Sequence, residues 1–221
     1  MALRLPLWLW IGAVLSGAGD ASAQSMRVQD LAAGKLLVAP RDAPDTSFAR
    51  SVILLVLRDE HSAAGLMLNR RTHTPISRVL EDWQPARNKS DPVYMGGPVE
   101  VSGVLALLRS ASKPGDATQV AGDIYVASSR AVVEKALTAG TGPDEFRLYL
   151  GYCGWGQGQL ENEVRLGAWY IFSANASLVF DSDPASLWSR LIARMEQRVH
   201  RDLMPEKAPA FQRSSSGRMV E

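Results

Sequence analysis

The chain has 221 residues and a formal net charge of +1, with 46% hydrophobic and 21% charged side chains. That is the balance of a globular protein rather than a disordered one, and near-neutrality gives no global pull toward nucleic acid or an acidic surface. Its one cysteine, Cys153, excludes an intrachain disulfide scaffold.

Arg4, the apolar run from Leu5 to Gly17 and the small residues of Ala21-Ser22-Ala23 stand in the order of a secretory signal, so cleavage is expected before Gln24. The apolar run is too short for a comfortable bilayer span and no second one is present, so no transmembrane segment is expected in the mature chain. The expected location is periplasmic or secreted. The alternative takes Met26 as the initiator of a cytoplasmic protein. The residues after the signal are enough for one well-buried domain over 24–204. From about residue 205 the apolar periodicity is lost, and a mobile tail over 205–221 is expected.

Gly34 to Ala39 is predicted as a short strand stopped by Pro40, and Val52 to Leu57 (VILLVL) as a strand buried on both faces. Gly65 to Asn69 is a third strand. Ile76, Val79, Leu80 and Trp83 fall at helical spacing within Pro75 to Trp83. Val93 to Met95 leads into the sharp turn Gly96-Gly97-Pro98, and Val104 to Leu108 is another strand. Ser110 to Gly122 has the composition of an exposed connection. A strand over Asp123 to Ala127 precedes a helix capped by Ser128 or Ser129, running through Leu137 and ended at Gly140. Phe146 to Tyr152 alternates and enters a glycine-rich turn; a short helix comes next, through Leu160, Val164 and Leu166. Trp169 to Phe172 and Leu178 to Phe180 are predicted strands. Asp183 then caps a helix with Pro184 at its first position. Strands dominate and helices are inserted irregularly, which favours α+β with a mixed sheet.

The densest local signal is Gly151 to Glu161 (GYCGWGQGQLE). Read functionally, its glycines let backbone amides approach a ligand at a helix start. Yet the Lys-Ser/Thr of a P-loop and the third glycine of the dinucleotide fingerprint are missing, and Glu161 would repel an anion. Read structurally, it is a tight strand-to-helix corner with Trp155 packed into the core. Cys153 offers a nucleophile if its thiol is acidified near a helix start, with His61 or His73 recruited as base; otherwise it is a buried small hydrophobe. Asp59-Glu60-His61 lacks any metal-ligand spacing and reads as a solvated turn, so no metal and no cofactor are expected. Arg190 and Arg194 align with Arg198 along one helix face as a solvated stripe, too diluted by acids for a nucleic-acid footprint.

Five segments occur in an order that marks a family: Gly34 to Pro40 (GKLLVAP), Phe48 to Ile53 (FARSVI), Gly65 to Arg70 (GLMLNR), Pro92 to Val99 (PVYMGGPV) and Leu150 to Glu161 (LGYCGWGQGQLE). Together with Ala168-Trp169 and the stretch from Phe180 to Trp188, they resemble the bacterial YqgE/AlgH family from about Leu31 to Arg198. The resemblance implies an α+β fold whose mixed, bent sheet forms a pseudo-barrel flanked by helices. It implies no particular reaction, only an association with transcriptional control of alginate synthesis. Aligned on Gly65 to Asn69, the Glu-His that relatives carry after the second strand falls on Leu57 and Arg58.

The function expected from these residues is a non-catalytic binding or regulatory protein of the envelope, with an unidentified protein or small molecule as partner. Its recognition surface is expected around Gly96, Gly97, Tyr152, Cys153, Gly154, Trp155, Gly156, Gln159 and Glu161, the two glycine-rich corners lying close together. The alternative is a thiol-dependent enzyme using Cys153 with His61 or His73. A third reading is a cytoplasmic transcription-related regulator starting at Met26.

Overall fold

A computed structural model describes residues 28–43 and 45–203, with side chains of the last helix described through residue 197. The expected signal sequence and the expected C-terminal tail lie outside the described residues.

Ten strands and five α-helices that lie wholly among the described residues alternate irregularly along the chain. In order they are β1 (Lys35–Val38), β2 (Val52–Arg58), β3 (Ser62–Met67), β4 (Arg71–Pro75), α1 (Ile76–Val79), β5 (Pro92–Met95), β6 (Val99–Arg109), β7 (Thr118–Ala121) and β8 (Ile124–Ala127). The remainder are α2 (Arg130–Thr138), β9 (Phe146–Gly156), α3 (Gln159–Arg165), β10 (Tyr170–Ser173), α4 (Ala176–Val179) and α5 (Pro184–Leu203). The strands form one sheet in the order β10-β1-β2-β3-β9-β6-β8-β7, with β5 added to β9 and β4 to β5. All pairings are antiparallel except β5 with β9, so the sheet is mixed. It curls until β7 returns toward its start. A Cβ on Gly34 would lie 2.7 Å from Cβ of Ala121. The fold is therefore α+β, a bent half-barrel with helices against it.

The burial of β2 is dictated by its sequence. Val52 to Val56 are all buried, with Leu54 and Val56 facing the concave core beneath α5 and Ile53 and Leu55 facing a second core beneath α3. A third core lies under α1 and α2, built on Val132, Val133, Ala136, Leu137 and Leu148. Asp183 caps α5 through the Ser186 amide (3.4 Å) and hydroxyl (2.5 Å), and Trp188 Nε1 donates to the Ala39 carbonyl at 2.8 Å, fixing α5 on the end of β1.

Five local expectations are corrected. Residues 110–122 are not all connection, since Thr118–Ala121 forms β7; only Val120 of that strand is fully buried, leaving a weak alternation. Leu178 and Val179 are helical and Phe180 caps their helix, because Asn175 Oδ1 accepts the Leu178 amide at 3.0 Å and starts α4. The helix of residues 75–83 shrinks to four residues, with the Ile76 and Ser77 amides taken by the Asp91 and Lys89 carbonyls. The third strand starts three residues early, at Ser62, and Arg71–Pro75 adds a strand that its composition did not announce. The last concerns the glycine-rich segment: Gly151 to Gly156 is strand, and only Gln157-Gly158 turns.

Candidate functional site

The site is set by one irregularity in β9. Before Gly151, Tyr149 faces the concave core and Leu148 the opposite one; after it, Tyr152 takes the concave side and Cys153 the other. One residue has been slipped into the period of two, which reverses every side chain beyond it. Gly151 absorbs the slip at φ +66°. Opposite it, β6 accommodates four residues, 100–103, between the pairs Val99↔Tyr152 and Val104↔Leu150. The two glycine corners meet here. The Gly96 amide donates to the Leu150 carbonyl at 2.8 Å, and a Cβ on Gly97 would lie 2.2 Å from the Tyr152 carbonyl carbon. Both Gly96 and Gly97 are buried, so they serve close backbone packing and present no surface to a ligand, contrary to their expected place in the recognition surface.

The slip sends Cys153 and Trp155 inward. Trp155 is 5% exposed, and its Nε1 donates to Glu163 Oε2 at 2.9 Å; Trp169 Nε1 donates to the same oxygen at 2.8 Å. Gln159 bridges the turn, accepting the Gly156 amide (3.2 Å) and donating to Glu163 Oε1 (3.0 Å). The thiol of Cys153 is 1% exposed, its Sγ 3.4 Å from the Gly96 carbonyl, and burial pushes its pKa up to about 12. That is the reverse of an activated thiol, which needs a cationic or helix-start environment. His61 and His73 are both exposed, and neither imidazole hydrogen-bonds the sulfur. The nucleophile reading therefore lacks both its thiolate and its base. Trp155 and Cys153 belong to the core rather than to a recognition surface.

On the outward side of the same stretch lie Gly154 and Gly156, both exposed, with Tyr152 half-buried beside them. Neither glycine has a positive φ. A Cβ on Gly156 would meet nothing within 4 Å, whereas one on Gly154 would lie 3.3 Å from the Tyr152 ring, tighter than ordinary van der Waals contact, and 3.6 Å from Val99 Cγ2. Their register is Gly154↔Ala64 and Gly156↔Ser62 across to β3, and Ala64↔Leu57 across to β2. The structural-corner reading is thus corrected at Gly156, where the fold of the chain does not call for glycine. It does so at Gly151, and at Gly158, which starts α3 at φ +71°.

At the end of this face the β2–β3 hairpin and the β9–α3 turn border an open cleft of about 510 Å3, lined by Arg58, Asp59, Glu60, Gln157, Gly158 and Glu161. Arg58 Nη2 binds Glu161 Oε1 at 3.0 Å, while Arg58 Nε is buried without a hydrogen-bond partner. Asp59 is a turn former: the amides of His61 and Ser62, each donating at 2.8 Å, hold its carboxyl below the usual range. Among the described residues no three His, Cys, Asp or Glu side chains gather as a metal would require, and no helix is long and apolar enough to cross a membrane. Arg58, Leu57 and Ala64 were missing from the expected site. The signal that could have found the first two was the Leu57-Arg58 pair standing where relatives carry Glu-His.

A family model described as AlgH-like matches residues 36–200. A UPF0301 protein of Streptomyces coelicolor is 35% identical over 170 residues, covering 73% of this chain and 85% of its own. A second, from Magnetococcus marinus, is 34% identical over 167 residues, covering 74% and 88%. Among solved structures, the solution structure of the AlgH protein from Pseudomonas aeruginosa superposes with a TM-score of 0.62 at 27% identity, covering 89% of this chain and all of that one. The crystal structure of a Corynebacterium diphtheriae protein gives 0.63 at 27% identity, covering 74% and 87%.

Proposed function

This chain belongs to the AlgH-like family, and from that premise we propose that it is a non-catalytic binding or regulatory protein exported to the bacterial envelope. One observation carries the binding reading: β9 turns Gly154 and Gly156 outward, with open space where a Cβ on Gly156 would lie, beside a 48%-exposed Leu57. A strand glycine gives up stability and a side chain's packing, and its usual return is the close approach of a ligand or another backbone. The buried, protonated thiol supports a role that does not run through Cys153. Export is supported by the order of charge, apolar run and Ala21-Ser22-Ala23 ahead of Gln24.

The test uses the full-length gene product. Expressed from Met1 in a Gram-negative host, the protein is expected in the periplasmic fraction with Gln24 as its first residue. A photo-reactive phenylalanine derivative in place of Gln157 is expected to give a discrete covalent adduct there. Retention in the cytoplasm with an intact N-terminus would remove the export reading. Absence of any adduct from Gln157, and from a second placement at Gly156, would remove the binding reading.

A further inference from the structure

We propose that Arg50 is a preorganised receptor for a carboxylate of a partner protein, an aspartate or glutamate side chain of an acidic segment. It lies just before β2, and the length of that strand separates it from Leu57, so the contact is independent of the face that carries Gly156. Residues 48–51 form a tight turn. The Phe48 carbonyl accepts the Ser51 amide at 3.0 Å, Ala49 stands at φ −52° and ψ 132°, and Arg50 has φ +57°. This is the pattern of a type II turn, whose third residue needs a positive φ and is ordinarily glycine. An arginine there holds a left-handed backbone that its Cβ disfavours. The surroundings leave no relaxed alternative. Arg70 Nη2 donates to the Ala49 carbonyl at 2.6 Å, Asn69 Nδ2 to the Arg50 carbonyl at 2.8 Å, and the Ala39 amide to the carbonyl of the fully buried Ser51 at 3.1 Å.

What arginine brings that glycine lacks is a guanidinium, and the chain itself makes little use of it. Arg50 is exposed, and among the described residues its side chain has no hydrogen bond and no ion pair; it lies over the indole of Trp188, with Cζ 5.8 Å from the ring centroid. An exposed cation–π contact near the limit of its range is weaker than the strain of a left-handed residue, and Trp188 already has Arg41 over it at 5.7 Å. Strain that the surroundings enforce and the chain's own contacts do not offset points to a role outside the chain. Arg41 shows which chemistry fits. Over the same indole it takes both oxygens of Glu196, Nε to Oε1 at 2.5 Å and Nη2 to Oε2 at 3.0 Å. Arg50 is its counterpart without a carboxylate from this chain: Glu196 is held by Arg41, and the Asp45 carboxyl accepts the Ser47 amide at 2.7 Å. A guanidinium stacked on an aromatic ring is oriented before a carboxylate reaches it, so a two-point bond leaves little ordering to lose.

The experiment titrates the isotopically labelled mature protein with an end-capped acidic peptide, Gly-Asp-Glu-Gly, with its neutral twin Gly-Asn-Gln-Gly, and with inorganic phosphate. The acidic peptide is expected to shift the side-chain Nε–H signal of Arg50 and the backbone amides of Arg50 and Ser51 to saturation, and the neutral twin to leave them in place. Arg50→Lys keeps the charge without the fork and should weaken the acidic peptide by about tenfold. Arg50→Gly supplies the residue the turn calls for, so it should abolish the response at Ser51 and at the same time raise the thermal midpoint. Binding lost while stability is gained distinguishes a residue kept for a partner from one kept for packing. A lower midpoint for Arg50→Gly would assign the side chain to Trp188 and overturn the proposal. Equal responses to the two peptides, or shifts confined to other arginines, would overturn it as well. Phosphate binding more tightly than the acidic peptide would reassign the fork to a phosphate and overturn the carboxylate. None of these failures touches the binding reading at Gly156, which the Gln157 adduct tests separately.

Discussion

Replacing Gly151 by alanine tests the joint on which the site depends. The new residue would have to hold φ +66°, and its Cβ would sit 2.6 Å from the Gly97 carbonyl oxygen, 2.7 Å from that of Val99 and 3.2 Å from Cα of Val101. A left-handed backbone costs a non-glycine residue about 1–2 kcal/mol. The three close contacts are all with backbone, which cannot rotate away, and overpacking of this kind costs about 1–3 kcal/mol more. We therefore expect Gly151→Ala to lose about 2–5 kcal/mol, a large part of the stability of an ordinary domain. Gly156→Ala is the internal control, because its Cβ enters open space at an ordinary φ. There the gain from restricting the unfolded chain, about 0.4–1 kcal/mol, should leave the variant as stable as the parent or slightly more so. Urea unfolding monitored by tryptophan fluorescence reads both from the shift in midpoint at constant slope. A Gly151→Ala variant matching the parent would show that β9 does not need the phase slip, and the division of this strand into a core side and an outward side would fall with it.

Cys153 in the native protein should resist iodoacetamide near pH 8 and react fully once unfolded, as read by mass spectrometry; rapid native alkylation at neutral pH would restore the nucleophile. The sign of its pH linkage is definite: the folded pKa, about 12, lies above the unfolded value of about 8.5. Its contribution is therefore fully present below pH 8.5 and is lost between there and 12, at about 1.4 kcal/mol per unit. Against the Cys153→Ala variant, the parent should lose stability more steeply in that alkaline window. Glu163→Ala strands the Nε1–H groups of Trp155 and Trp169 together, so a loss of about 2–4 kcal/mol is expected, with Glu163→Gln milder because an acceptor remains; equal losses for the two would refute the shared-acceptor role. Arg147 is 4% exposed and donates to the carbonyls of Pro143 (2.9 Å), Val179 (3.2 Å) and Asp181 (2.6 Å). Arg147→Met should cost about 3 kcal/mol or more by leaving those groups without their donor, and a thermal midpoint within a degree of the parent would contradict this.

The parts of the fold legible in the sequence are those where one physical signal was strong enough to stand alone. The apolar run of β2 demanded burial on both faces, and Asp183-Pro184 demanded a helix start. Where two signals competed, local pattern misled. Leu178-Val179-Phe180 is a short apolar run that suits strand and helix alike, and the Asn175 cap decides for helix. In β9, Gly154 and Gly156 occupy the outward positions, so the strand's alternation of Cys153 and Trp155 with small residues looked like a turn composition. Glycine content was read as a bend when it was the absence of side chains on one face. Arg58 was visible only as half of a departure from Glu-His. Its engagement with Glu161, more than a hundred residues along the chain, is a product of β3 lying between β2 and β9, which no local pattern announces.

That topology also explains why burial and display occur on one short strand. A strand with unbroken period would carry the face of Tyr149 straight on and put Tyr152 and Gly154 on the far side, beneath α3. The slip at Gly151 instead continues the concave face outward through Tyr152 to the glycines, and gives α3 the pair Cys153 and Trp155 to cover. Because Trp155 is fixed by Glu163 and by its edge-on contact with Trp169, centroids 6.3 Å apart, the backbone at Gly154 and Gly156 is held from behind. A face anchored in this way would meet a partner with little ordering left to lose.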